Sequence, residues 1–218
     1  MNSSLFRLPC RKFRRATAGG FTLTEIAIVL AVAGLVFGGV WIAWTKVRFA
    51  NQIKLGSQQL ATIVHNTRGI YAEQGGIKGQ LTTLTQPLDQ LRVFPLDMRQ
   101  TYATSAGIIF HPWNSSLVNG LGTVQAAADN CSGVSSSDNT TTYGCFDVMY
   151  YNLPQAVCNA LAIETSSSNM DAQRILINGT LAGDLSAGTM PIKASTSNAD
   201  CTAAADTNTI LWVFMVRN

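Results

Sequence analysis

Apolar residues come first as one block and are then spaced out. From Ile26 to Thr45 there are 20 residues without a charge. As a helix rising about 1.5 Å per residue, they span roughly 30 Å, the thickness of a hydrocarbon core. After Thr45 the pattern changes: Ala50, Ile53, Leu60, Val64 and Tyr71 recur at three- and four-residue spacings or their multiples, with Lys54, Gln58, Gln59 and Arg68 between them. This spacing predicts one amphipathic helix continuing outward from the block. From Phe21 to Glu73 it would run for about 53 residues, or roughly 80 Å. The stretch EQGGIKGQ (73–80) ends it. Gly34, Gly38 and Gly39 lie inside the apolar half, where each costs about 1 kcal/mol relative to alanine. They either loosen the helix or permit close helix packing, and the sequence leaves both uses open.

Residues 75–107 read as a connecting region with a short helix over Leu81 to Leu91. Four later runs are strand-like: GIIFH (107–111), YGCFDVMYY (143–151), RILING (174–179) and NTILWVFMV (208–216). Their β-branched and aromatic content predicts an antiparallel sheet packed on the outer half of the long helix, an α+β fold. LPQAVCNALAIE (153–164) reads as a short helix with Pro154 in its first turn. The Ser/Thr/Asn/Gly-rich stretches 129–144 and 183–209 read as loops. Trp212 and Phe214 share a parity on the last strand, which predicts packing on one sheet face.

At 218 residues and 47% hydrophobic composition, the chain suits one membrane anchor plus one domain with an ample core. Charge is uneven along it. Arg7, Arg11, Lys12, Arg14 and Arg15 precede Gly20 and no acid does, so removing residues 1–20 takes the net charge from +3 to −2. A basic cluster just before an apolar span holds that end in the cytoplasm and sends the rest outward. Nucleic-acid binding loses its support, because no basic patch with interleaved aromatics remains downstream.

Cys10 sits in the leader, while Cys131, Cys145, Cys158 and Cys201 sit in the exported part. An even number in an oxidising compartment favours two disulfides, with three connectivities open. Pairing Cys131 with Cys145 and Cys158 with Cys201 is the preferred arrangement; it closes loops of about 15 and 44 residues, stabilising by on the order of 3 and 4 kcal/mol. Zinc is disfavoured: there is no Cys-x-x-Cys pair, and His65 and His111 are distant in sequence.

One residue sits oddly. Glu25 stands at the edge of the apolar block, where an ionisable group carries a penalty of up to about 3 kcal/mol and usually has a partner or a task. In an ordinary secretory signal the cleavage site follows the apolar region. Here the basic region runs into ATAGG and the apolar run comes afterwards, so cleavage after Gly20 would leave the helix on the mature chain. Gly20, Phe21, Thr22, Leu23 and Glu25, after a basic leader and before an uninterrupted apolar run, resemble the type IV prepilins position by position. The resemblance implies that a prepilin peptidase cuts between Gly20 and Phe21, that Phe21 becomes the N-terminal and usually N-methylated residue, and that Glu25 pairs with the Phe21 amino group of a neighbouring subunit. The alternative for Glu25 is a carboxylate that reaches into the headgroups at the helix end.

The second half is similar to the type IVb pilins, including the toxin-coregulated, bundle-forming and conjugative thin-pilus kinds. It has a helix bearing Cys158, a strand ending Ile177-Asn178-Gly179, a loop with Cys201, and Asn208-Thr209-Ile210 opening an aromatic strand. In that group a late disulfide staples the exposed region to the sheet, which supports the Cys158–Cys201 pairing. The resemblance implies the type IV pilin fold, divided into a cleaved leader (1–20), a membrane-spanning and filament-core segment (21–45) and a globular domain (46–218). It implies a structural subunit that is no enzyme and needs no cofactor or metal, held in the bacterial inner membrane and then polymerised into an extracellular helical filament. Its partners would be copies of itself, the peptidase and the pilus assembly machinery. The rivals are a minor pilin or secretion pseudopilin, and a signal-anchored periplasmic adhesin or enzyme.

No nucleophile elbow, phosphate loop or metal-binding helix motif is present. His65 on the amphipathic helix and His111 at a strand end read as surface or structural residues. Asn114, Asn139 and Asn178 open Asn-x-Ser/Thr triplets, to which no modification is assigned. Trp41 and Trp44 fit an interfacial aromatic belt or subunit packing.

Overall fold

The structure, a computed structural model, describes residues 22–78, 84–99, 109–113, 123–129, 131, 142–168, 170–202 and 207–216. The chain divides into two compact units, Met1–Lys46 and Val47–Asn218. Helix α1, Leu23–Tyr71, is 49 residues long and begins in the first unit. It ends two residues short of the expected Glu73. The chain then turns at Gly75 and Gly76, both with positive φ (74° and 135°). A Cβ on Gly76 would lie 2.6 Å from the Tyr143 carbonyl oxygen, so only glycine lets the two backbones approach here.

In the second unit, α1 turns Ile53, Leu60, Ile63, Val64, Thr67 and Tyr71 inward. Ala50, placed on the same stripe by its spacing, is exposed. Gln59, expected to be outward, is 5% exposed. It donates from Nε2 to Asp97 Oδ2 at 2.6 Å, and Asn66 Nδ2 donates to the Val93 carbonyl at 3.0 Å. Arg68 likewise turns inward, its Nε bonding the Met215 carbonyl at 2.9 Å. These polar side chains face the domain because the connecting segment and a strand end offer them partners, which periodicity alone does not reveal. The segment holds α2, Thr85–Gln90, shorter than expected (81–83 fall outside the described residues), and a one-turn 3-10 helix, Leu96–Met98.

Strands β1 (Ile77–Lys78) and β4 (Thr142–Tyr143) form a small antiparallel pair. The main sheet is antiparallel, built from β2 (Ile109–Phe110), β3 (Thr123–Asp129), β5 (Cys145–Leu153), β6 (Ala172–Ile177), β7 (Thr180–Asp184) and β8 (Asn208–Met215), in the order β2-β3-β5-β8-β6-β7. Of the expected run 107–111, two residues form a strand, and 107 and 108 lie outside the described residues. β8 is thus central, between β5 and β6. Ile210, Trp212 and Phe214 on β8 join Phe146, Val148 and Tyr150 on β5 and the inward residues of α1 in one core. Leu211 and Val213 face the other way, onto Cys145, Cys131, Met149 and Leu176. Trp212 is fully buried, meets the Tyr150 ring edge-on at 5.1 Å, and donates from Nε1 to Thr165 Oγ1 at 2.8 Å.

Helix α3, Gln155–Ser167, starts one residue after Pro154. The proline caps the helix instead of occupying its first turn. Within the expected loop 183–209 lie the end of β7 and a seven-residue helix, α4, Ala194–Asp200. Serine-rich as it is, α4 is held by tertiary contacts: Ser197 Oγ donates to Asn159 Oδ1 of α3 at 2.9 Å. Of the expected loop 129–144, Asp129 ends β3 and 142–143 form β4, while 132–141 lie outside the described residues.

Disulfides join Cys131 to Cys145 and Cys158 to Cys201, across 14 and 43 residues. The second ties α3 to the residue after α4. A Cys158→Ser chain is expected to lose on the order of 4 kcal/mol of stability, seen as a lower urea midpoint under non-reducing conditions. An unchanged midpoint would show that the tie adds nothing.

Candidate functional site: the exposed half of the long helix

Thr22 stands immediately before α1 and caps it. Its carbonyl accepts from the N–H groups of Glu25 and Ile26 at 3.1 and 3.2 Å, and its hydroxyl oxygen accepts from the Glu25 N–H at 3.3 Å. Thr22-x-x-Glu25 therefore has the spacing of a capping box, a signal readable in the sequence, and a negative charge in the first turn complements the helix dipole. Among the described residues, the Glu25 carboxylate has no hydrogen-bond or ion-pair partner. A cap and dipole role is worth about 0.3–1 kcal/mol, which does not by itself account for an acid against an apolar surface. Gly20 and Phe21 lie outside the described residues.

From Leu23 onward the helix shows apolar side chains on every side: Leu23 is 86% exposed, Leu35 79%, Phe37 74% and Trp41 66%. Among the described residues this is the one helix long and apolar enough to cross a membrane, and none of its apolar window is buried. A surface of this kind needs a cover of lipid or protein. Gly34, Gly38 and Gly39 have nothing within 4 Å of where a Cβ would stand, so packing within one chain does not require them. Gly34 and Gly38, four residues apart, share a helix face. The rings of Trp41 and Trp44 lie 5.5 Å apart at the outer end of the run.

The histidines occupy different settings. His65 is exposed on α1, whereas His111 is 3% exposed and stacked on Tyr150, with ring centroids 5.7 Å apart. His111 Nε2 lies 2.7 Å from the Tyr151 carbonyl, and Nδ1 accepts the Trp113 N–H at 3.3 Å. Both bonds are satisfied by the neutral ring carrying its proton on Nε2. The bonds hold Trp113 against α1 at Gly56, where a Cβ would fall 2.2 Å from the indole, a contact that no sequence pattern announces. Burial pushes the His111 pKa below its ordinary 6.5, and the bond to Tyr151 opposes this in part. The unfolded chain then binds a proton that the folded one refuses. Stability should fall as pH drops through about 6.5 toward the depressed folded value, read as the urea midpoint against pH. A His111→Gln chain should lose that part of the slope. Among the described residues no three metal-ligating side chains cluster.

A family model described as PilS N terminal matches residues 50–215. Comparison with curated proteins returned no match. Among solved structures, the crystal structure of type IV b pilin from Salmonella typhi is similar, with a TM-score of 0.55 and 18% identity over 74% of this chain and 99% of that one. TcpA, a type IV pilin from Vibrio cholerae El Tor biotype, gives a TM-score of 0.43 and 12% identity over 75% and 98% of the two chains. The NMR structure of type IVb pilin (PilS) from Salmonella typhi gives 0.40 and 19% over 74% and 93%. At 18% identity, the crystal-structure likeness establishes the fold alone.

Proposed function

The chain belongs to the PilS family, and on that premise we propose that this pilin subunit is made as a prepilin, cut between Gly20 and Phe21, and polymerised through Glu25 and the apolar half of α1. Before assembly the apolar half spans the bacterial inner membrane, with the five leader cations on the cytoplasmic side and Trp41 and Trp44 near the opposite interface. Cleavage by a prepilin peptidase removes those cations and creates an amino group on Phe21, which is then methylated. That cation pairs with the Glu25 carboxylate of a neighbouring subunit as the pilus machinery adds it to the filament. The same apolar surfaces then cover one another, with Gly34 and Gly38 admitting close backbones. The role is structural and not catalytic.

The observation that carries this reading is an apolar helix surface exposed on all sides, headed by a carboxylate with no partner among the described residues. The test is intact mass, under non-reducing conditions, of protein from membranes and from sheared surface material. A mass of Phe21–Asn218 plus one methyl and minus the four hydrogens of two disulfides, abundant in the sheared fraction, is expected. The same mass confined to membranes would mark a minor pilin or pseudopilin. An uncut chain starting at Met1 would return the protein to the signal-anchored class.

A further inference from the structure

Asn178 and Gly179 form the turn between β6 and β7, both with positive φ (50° and 81°). Asn-Gly is the favoured pair for this mirror-image hairpin turn. The Asn178 side chain also fastens the turn to its surroundings. Its Nδ2 donates to the Asp200 carbonyl at 2.7 Å and to Asn208 Oδ1 at 3.1 Å, while its Oδ1 accepts the Thr209 N–H at 2.9 Å. Asn208 continues the network, donating to the carbonyls of Leu153 at 3.1 Å and Thr202 at 3.3 Å and accepting the Thr202 hydroxyl at 3.1 Å. One exposed amide thus clips the hairpin to the residue before Cys201 and to the start of β8. Both partners of Nδ2 are acceptors. A carboxylate at this position has no donor and would face two oxygens.

Asparagine before glycine is also where backbone chemistry most readily attacks a side chain, because glycine leaves its own nitrogen unobstructed. We propose that Asn178 is a latent deamidation site, kept as the amide by these bonds and converted to aspartate or isoaspartate when the Asn178–Asn208 contact opens, after which the hairpin no longer clips α4. The Gly179 nitrogen forms a bond to Asn178 Cγ as the Cγ–Nδ2 bond breaks. Ammonia departs with the proton given up by the Gly179 nitrogen, and water then opens the imide at either carbonyl. The net change is one water consumed and one ammonia released, with no oxidant or reductant. In the closed state both ends of the amide are pinned, so the side chain is not free to turn toward the attacking nitrogen without breaking these bonds. The same bonds bear on the Asn178-Gly179-Thr180 triplet as a glycan acceptor: Nδ2 already donates both its hydrogens, and a sugar there would remove one.

The test uses the full chain with its disulfides intact, in detergent micelles at mildly alkaline pH, with amide loss at Asn178 followed by peptide mass mapping. Loss in the fold should be at least about tenfold slower than in urea, and the Asn208→Ala chain, which keeps Asn178-Gly179 but lacks the Oδ1 partner, should lose much of that protection. Equal rates in fold and urea, a bond inert even in urea, or an Asn208→Ala chain as protected as the native one would each overturn the proposal. An Asn178→Asp chain tests the clip itself. Backbone hydrogen exchange in α4 should quicken at least about fivefold, and exchange at the native rate would show that the amide holds nothing.

Discussion

A Glu25→Ala chain should be exported and cut like the native protein, yet leave no filaments in the sheared surface fraction. A carboxylate and an amino group at about 4 Å attract by about 4 kcal/mol in surroundings of effective dielectric near 20. Losing that from each addition step lowers the association constant by about a thousandfold. Electron microscopy and immunoblots of sheared and membrane fractions read the outcome, with membrane levels as the control for export. The structure adds a sharper variant. Thr22 caps α1 at the backbone N–H of residue 25, a bond that glutamine supplies as glutamate does. Glu25→Gln keeps the cap and removes the charge. If the ion pair drives assembly, the Gln chain fails as the Ala chain does; abundant filaments from it would reduce Glu25 to a helix-start residue.

The second large effect belongs to Trp212. Its indole is fully buried at the centre of the sheet, meets Tyr150 edge-on, and bonds the Thr165 hydroxyl. Trp212→Ala should cost about 3–5 kcal/mol, as expected for a large aromatic removed from a core that cannot collapse around the gap. Against a total of about 5–15 kcal/mol, a large share of the domain's stability is at risk. Urea midpoint and protease resistance would fall together, and so would the amount of subunit in the membrane. Trp212→Phe keeps most of the apolar contact and should lose far less. The two variants separate cleanly: the Glu25 change spares subunit level and abolishes filaments, whereas the Trp212 change lowers both. Native resistance in the alanine chain would mean that the core repacks around the void.

Elements whose pattern is strong are legible from sequence. The uncharged run and its amphipathic continuation give α1 to within two residues at each end, and the aromatic run at 208–216 gives β8, because each carries many periodic positions. β3 carries no such pattern: Thr123–Asp129 reads TVQAAAD, and its three alanines have little strand preference; pairing between β2 and β5 makes the strand. β7 is five residues with an internal glycine, yet Asn178-Gly179 ahead of it is a hairpin signal that would have found it. α4 contains four polar residues and one alanine in its first five positions, and owes its form to Asn159 and the Cys158–Cys201 tie. At the candidate site, the apolar surface and Glu25 stand out in the sequence because charge amid hydrophobes is conspicuous. The inward turn of Gln59 depends on a residue 38 positions away and the seat of Trp113 on Gly56 joins residues 57 positions apart, and long-range contacts of that kind leave no local pattern.

The place of β8 has a consequence in time. Its neighbours β5 and β6 do not pair with each other, so without Asn208–Met215 the main sheet is two pieces, β2-β3-β5 and β6-β7, each with an open edge. A chain emerging N-terminus first cannot join them until Asn208–Met215 has emerged. The two pieces therefore remain separate until β8 takes its place between them. A chain cut short before β8 has lost its keystone and not a fringe, and it presents two raw edges to proteases and to other chains.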